Sequence, residues 1–369
     1  MSRRMLAAMI MAGLVLTLGA LAIGIPRTRA ETAEGAADHL YDWAVPLLSV
    51  CDAFDGHSSR LFVAGSRQPV DIRLRSGTWE VLLLEPGGKP RALRSARGYA
   101  QSVWASPDDS SLVVSWRDAG GPRVSEYDLK ADAVQTTREF AGELVSFGLY
   151  SVTPWNPQGT CWHSILRGRG MLAIHYRDGR QLLLPSIPDA LLHWMSARDD
   201  QIYALDSAGR VHAVSRAGSD VIGAIGRYDK GHVSAYGDWL FLFDPQTGSL
   251  TRFDLHDGGL DARAIQLRDL SSIGAVDRIR AMSADDVCII SHREWQGRRT
   301  RVYVSRLRFP APELRVLWHT SFSEAVDEFT GSPSDLVSCS GDSTVTWVVW
   351  TDEALEHTLV KRIAASGSR

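Results

Sequence analysis

The 369 residues, 44% hydrophobic and 22% charged, are globular in composition and long enough for two ordinary domains or one large all-β domain. Lys+Arg number 40 against 43 Asp+Glu. The first thirty residues hold four of the basic residues and no acid, so the remainder carries 36 against 43, a net charge of −7 that argues against nucleic acid as a partner.

Those thirty residues differ from the rest. Ser2, Arg3 and Arg4 precede an apolar run from Met5 to Ile25 in which Thr17 is the only conventionally polar residue. The segment reads as a signal peptide or a membrane anchor. Cleavage after a small-residue exit, Ala20-Leu21-Ala22 or Thr28-Arg29-Ala30, would release the chain; retention would leave 21 apolar residues, enough to span a bilayer. The start "SRRML" resembles the twin-arginine export motif, without its phenylalanine. The expected organisation is residues 1–30 as signal or anchor, 31–39 as linker, 40–364 as the folded domain and 365–369 as a tail. The expected location is periplasmic or otherwise extracytoplasmic, with attachment to the inner membrane through residues 5–25 if they are kept.

Four cysteines, Cys51, Cys161, Cys288 and Cys339, lie far apart with no CxxC spacing, so neither a zinc site nor a thioredoxin-like pair is indicated. Export makes disulfides possible. The last three sit in apolar strand-like runs, where small buried core residues are the simpler reading.

A repeated pattern then occupies the chain: a small or polar turn with aspartate, an apolar strand, a second turn and another strand. A weak copy, "FDGHSSRLFVAG", begins at Phe54. "WASPDDSSLVVSWRDAGGPRVSEYDL" follows from Trp104, and "NPQG" at Asn156 to Gly159 precedes "TCWHSIL". "HWMSARDDQIYALDSAGRVHAVSRAG" runs from His193, and "WLFLFDPQTGSLTRFDL" from Trp239. In the latter Trp239, Phe241 and Phe243 face one way and Leu240 and Leu242 the other, a strand apolar on both faces before a Pro/Gly turn. "RAMSADDVCIISHREWQGRRTRVYVSRL" from Arg280 and "GSPSDLVSCSGDSTVTWVVW" from Gly331 complete the series. With Asp109, Asp200, Asp238, Asp286 and Asp335 as register marks the spacings are 91, 38, 48 and 49, the first spanning two units. Seven units of roughly forty to fifty residues give an all-β, seven-bladed β-propeller, six to eight blades being compatible with the spacing. Closure comes from His357 to Ile363 as the outer strand of the last blade, from Leu40 to Val50 pairing there, or from both.

"SPDD" at Ser106 to Asp109, before "SLVVSW", resembles the turn of WD40-like propellers, and "LFLFDPQTGSLTRFDL" resembles the repeat of quinoprotein-type propellers. The resemblance covers about Phe54 to Ile363 as architecture, and it implies fold rather than activity.

Propellers commonly place ligands over the central channel, lined by the strands just before the aspartate turns. Here these offer Trp104, His193 and Trp194, His232 and Tyr236, Arg278 and Arg280, and Asp327 and Glu328 in blades two, four, five, six and seven. Each alone reads more simply as packing or a blade-to-blade hydrogen bond. His163, His193 and His232 fall in successive blades and could approach one axis, but no HxH, HExxH or CxxC spacing supports a metal, and none is expected. The paired aspartates 108/109, 199/200 and 285/286 repeat with the blades, as structural turns would. Blade six concentrates Arg293, Arg298, Arg299, Arg301, Arg306 and Arg308 in one hairpin, where alternation puts Arg299, Arg301 and Tyr303 on one face. Such a surface suits an acidic protein or anionic lipid headgroups, or is a strand face kept soluble by charge.

The sequence is thus read first as an exported, non-catalytic binding module for a protein or envelope component, with no cofactor. The alternatives are a periplasmic oxidoreductase of the quinoprotein or amine-dehydrogenase kind, or a subunit of one, carrying a quinone, and a metal-dependent propeller hydrolase.

Overall fold

The computed structural model describes residues 41–44, 61–62, 70–75, 78–83, 91–97, 99–108, 110–118, 121–128, 136–141, 144–146, 154–166, 170–256, 259–295, 299–323, 333–341, 345–351 and 357–364. The chain divides into two units, Met1–Ala37 and Asp38–Arg369, and all the described residues belong to the second. No helix among them is long and apolar enough to cross a membrane; the run from Met5 to Ile25 lies outside them.

Among the described residues the strands form seven four-stranded antiparallel sheets, the blades of a β-propeller. Six are continuous in sequence, over residues 61–97, 99–141, 144–185, 190–224, 233–266 and 275–323. The seventh joins both ends of the unit: Val337–Gly341, Val345–Thr351 and His357–Ala364 are followed at the outer edge by Tyr41–Ala44. Tyr41 lies opposite Val360 and Ala44 opposite His357. His357–Ala364 is therefore the third strand of the blade and not its outer one, and the N-terminal segment supplies the fourth.

Local chemistry explains the hairpins. After Trp239–Asp244 the Asp244 carboxylate accepts from the Gln246 N–H at 2.9 Å and the Thr247 hydroxyl at 2.7 Å, which folds the chain back. Gly248 completes the turn at φ 69°, a conformation glycine adopts without a steric penalty, and the return strand Ser249–His256 pairs in register. The Asp178-Gly179-Arg180 and Asp206–Arg210 turns repeat the device in blades three and four.

Blades stack by burying the two faces of each strand against different neighbours. Phe241 and Phe243 enter the apolar layer shared with blade six, while Leu240 enters the layer shared with blade four. The alternation in the sequence is thus a choice between two neighbours, not between core and solvent. Equivalent layers lie between blades three and four, around Cys161, Ile174 and Met195, and between six and seven, around Ile290, Val302 and Val348.

Two blades depart from the register expected from sequence. In blades two, four, five and six the apolar strand after the aspartate turn is the second strand; in blade seven the strand after Asp335, Val337–Gly341, is the first. Blade one shows the same shift, since Leu61–Phe62 is its first strand. An apolar run after a turn marks any strand covered on both faces, so the pattern does not distinguish first from second. Asp327 and Glu328, and the register mark Asp109, lie outside the described residues.

The cysteine expectation also changes. Cys161 is a buried free thiol, but Cys288 in blade six and Cys339 in blade seven are buried as a disulfide.

Candidate functional site

The first strands carry most of the expected channel residues, and most of these are used between blades. Trp194 donates its indole N–H to the Gly237 carbonyl of blade five at 2.9 Å. His232 bonds through Nε2 to the Val276 carbonyl of blade six at 2.9 Å. Arg278 donates to the Val337 carbonyl of blade seven at 2.8 Å and to that of Ser334. Arg280 donates to the Cys339 carbonyl at 3.3 Å. Tyr236 is half-buried against the layer between blades five and six.

Two expected residues do meet across the ring. The Arg280 guanidinium of blade six lies 5.2 Å from the ring centroid of Trp104 of blade two, within cation–π range. Burial, and then the charge of Arg278, pushes the Arg280 pKa down to about 10, so it stays charged at neutral pH. The remaining member of the expected set, Glu328, lies outside the described residues.

The repeating aspartates have a further structural role that spacing alone did not reveal. Asp199 of blade four accepts from Asn156 Nδ2 and Thr160 Oγ1 of blade three at 2.7 and 2.8 Å. Asp238 of blade five accepts from the Ser196 hydroxyl and the Ala197 N–H of blade four at 2.6 and 3.0 Å. Asp285 of blade six pairs with Arg252 of blade five at 2.7 Å. Asp108 of blade two reaches forward to Arg177 of blade three at 2.8 Å. Although its partial burial favours the neutral acid, hydrogen bonds from Arg177, Ser106 and Ser110 hold Asp108 well below the usual carboxylate range. These carboxylates are clamps between blades.

Two histidines of adjacent blades lie in one apolar layer without a complete set of partners among the described residues. His163, on the second strand of blade three, is fully buried opposite Ile174; His193, on the first strand of blade four, is 4% exposed opposite Ala204. Ile174 and Ala204 belong to one apolar layer, so both imidazoles point into the space between blades three and four. His163 bonds through Nδ1 to the Pro154 carbonyl at 3.1 Å. Its Nε2 and both nitrogens of His193 have no partner among the described residues. Burial lowers His163 to about 4, while burial and then His163 lower His193 to about 3, leaving both rings neutral. His232 is engaged with blade six and does not join them. Among the described residues no three metal-binding side chains converge.

The arginine hairpin of blade six forms as expected, with Asp286–Trp295 and Arg299–Arg308 pairing along ten residues. Its five expected binding residues do not form one surface. Arg299 is exposed and Arg301 half-buried, whereas Tyr303 is 7% exposed and edge-on to His319. Arg306 and Arg308 alternate onto the opposite face, and Arg306 is buried in an ion pair with Asp286 at 2.7 Å. Arg308 is exposed, but nine residues from Arg299 along an extended strand is about 30 Å. The strand is the third of its blade, flanked on both sides and covered by neighbouring blades, which is why its middle is buried. A smaller group survives at one end: Arg293 is exposed and lies directly opposite Arg301, with Arg299 two residues away. Arg299 donates to the Ser321 carbonyl at 2.9 Å and Arg301 to the Ser321 hydroxyl at 3.3 Å, which fixes both against the outer strand Leu314–Ser323.

No protein-family profile and no curated relative matches this chain. Among solved structures it is similar to the Cps50 (Swd1) β-propeller domain of Myceliophteria thermophila, at 14% identity over 83% of this chain and 96% of that one, with a TM-score of 0.47. A streptogramin B lyase is 9% identical over 90% and 100%, with a TM-score of 0.48. The WD40 propeller domain of Doa1 is 11% identical over 88% and 96%, with a TM-score of 0.45. At these identities and TM-scores the likeness concerns fold alone.

Proposed function

We propose that the chain is an exported, non-catalytic propeller that binds an acidic protein of the cell envelope through the outer half of blade six. One observation carries this reading. The adjacent strands Arg299–Arg308 and Leu314–Ser323 contain five arginines and no Asp or Glu, in a chain with more acidic than basic residues, and Arg293, Arg299 and Arg301 gather at one end of them. Guanidinium groups steadied against a strand lose little freedom on pairing with carboxylates, which favours recognition of an acidic surface. The Cys288–Cys339 disulfide supports export, since such bonds persist in oxidising compartments. Near the axis, Trp194, His232 and Arg280 already bond between blades, so the binding reading draws its support from the periphery.

The test is native mass spectrometry of the protein gently isolated from its host's envelope fraction, with cofactor analysis, beside the variant R299E/R301E. A stoichiometric acidic partner lost from the variant is the expected result. A partner retained equally by both proteins, an anionic lipid in its place, or a defined turnover by the purified chain overturns the proposal.

A further inference from the structure

We propose that the layer between blades three and four holds a monovalent copper ion between His163 Nε2 and His193. The starting observation is the set of three imidazole nitrogens that lack a partner among the described residues, on two rings that are 0% and 4% exposed. Polar groups buried this deeply require a partner, and the Cys161, Ile174, Met195 and Ala204 layer around them is apolar.

The tautomer of His163 indicates which kind of partner. Bonding to the Pro154 carbonyl requires a proton on Nδ1, so Nε2 presents a lone pair. A ring N–H fixed by a backbone carbonyl is the arrangement that orients metal-binding imidazoles. His193 is unconstrained at either nitrogen and can offer a second lone pair in its neutral form.

Ligand number and charge then select the ion. Zinc takes four ligands in structural sites, and this layer supplies two. Cys161 lies on the same strand face, but its sulfur is directed to Asp199, 3.7 Å from the carbonyl oxygen. Engaged there, it does not complete a site. Cuprous copper is stable with two nitrogen ligands. Because the cost of desolvation scales with the square of charge, a monovalent ion meets about a quarter of the penalty of a divalent one in this apolar layer.

The full chain would be exported from cells grown with supplemental copper, so that the ion is present as the ring folds, and purified without thiol reductants. Wild type, His193→Leu and Cys161→Ala would be compared for copper content and by X-ray absorption. The expected result is about one copper per chain in wild type and in Cys161→Ala, two-coordinate and nitrogen-bound, and its loss from His193→Leu. Removal of bound copper should also lower the melting midpoint of wild type and leave that of His193→Leu unchanged. Leucine removes two of the three unpartnered nitrogens and leaves only His163 Nε2, so this variant is expected to fold, as circular dichroism would report. Copper absent from wild type, equal in all three proteins, or lost with Cys161, or a water molecule bridging the two rings, overturns the proposal.

Discussion

His163 and His193 make a titration experiment informative at single residues. Their protonation is depressed from 6.5 to about 4 and about 3, first by burial and, for His193, then by its neighbour. The unfolded chain therefore takes up protons that the folded chain excludes. Their contribution is intact above the unfolded value of 6.5 and is lost as pH falls from there toward about 4 for His163 and about 3 for His193. Each ring adds a limiting slope of about 1.4 kcal/mol per pH unit. Urea midpoints of the metal-free protein at pH 7, 6 and 5 should fall steeply, and His193→Leu should show roughly half that fall, one of the two rings being gone. An unchanged slope in the variant would show that His193 is not held neutral. Asp206 acts in a different window: burial opposes its ionisation, yet bonds from the Arg210 N–H and His212, among others, hold it at about 2, so its contribution is lost only below its unfolded value of 3.8. The sequence placed His163 and His193 in adjacent blades but also grouped His232 with them, because blade order is legible in a repeat while the direction of a side chain is not.

At the scale of strands and turns, period and alternation were legible and their use between blades was not. The aspartate turns were correctly read as structural from their repetition. Their acceptor role is non-local: Asp238 meets Ser196, 42 residues earlier, and no local pattern encodes that contact. Removing the carboxylate leaves the Ser196 hydroxyl and Ala197 N–H without that acceptor. Asp238→Ala should therefore destabilise by about 2 kcal/mol, and Asp238→Asn by less because Oδ1 is kept. Denaturant unfolding would decide, and equal losses would mean that charge rather than acceptor geometry matters. The arginine hairpin shows the converse limit. Charge and strand pairing were both legible there, but alternation over ten residues divides the arginines between two faces, and the neighbouring blades bury Arg306 with Asp286.

Closure of the ring is a property of the whole molecule, and it gathers on blade seven. Tyr41–Ala44 pairs with His357–Ala364, so the blade is incomplete without a segment nearly three hundred residues upstream of its other strands. On its blade-six side the Cys288–Cys339 disulfide and the Arg278 and Arg280 bonds to main-chain carbonyls attach the first strand. A cross-link closing a 51-residue separation restricts the unfolded chain by about 4 kcal/mol in the chain-entropy treatment. The two attachments act on opposite edges of one sheet, which makes their losses coupled. A chain beginning at residue 46 exposes His357–Ala364 as an edge, while the disulfide still holds Val337–Gly341 in place. Reduction of that shorter chain removes the covalent restraint as well. Hydrogen exchange over the strand Val345–Thr351 should rise modestly on truncation or reduction alone and by more than the sum when both are applied, with aggregation following exposure of the edge. Strictly additive changes would mean that blade seven is held by its apolar layer with blade six, around Val302, Val337 and Val348, rather than by the closure of the ring.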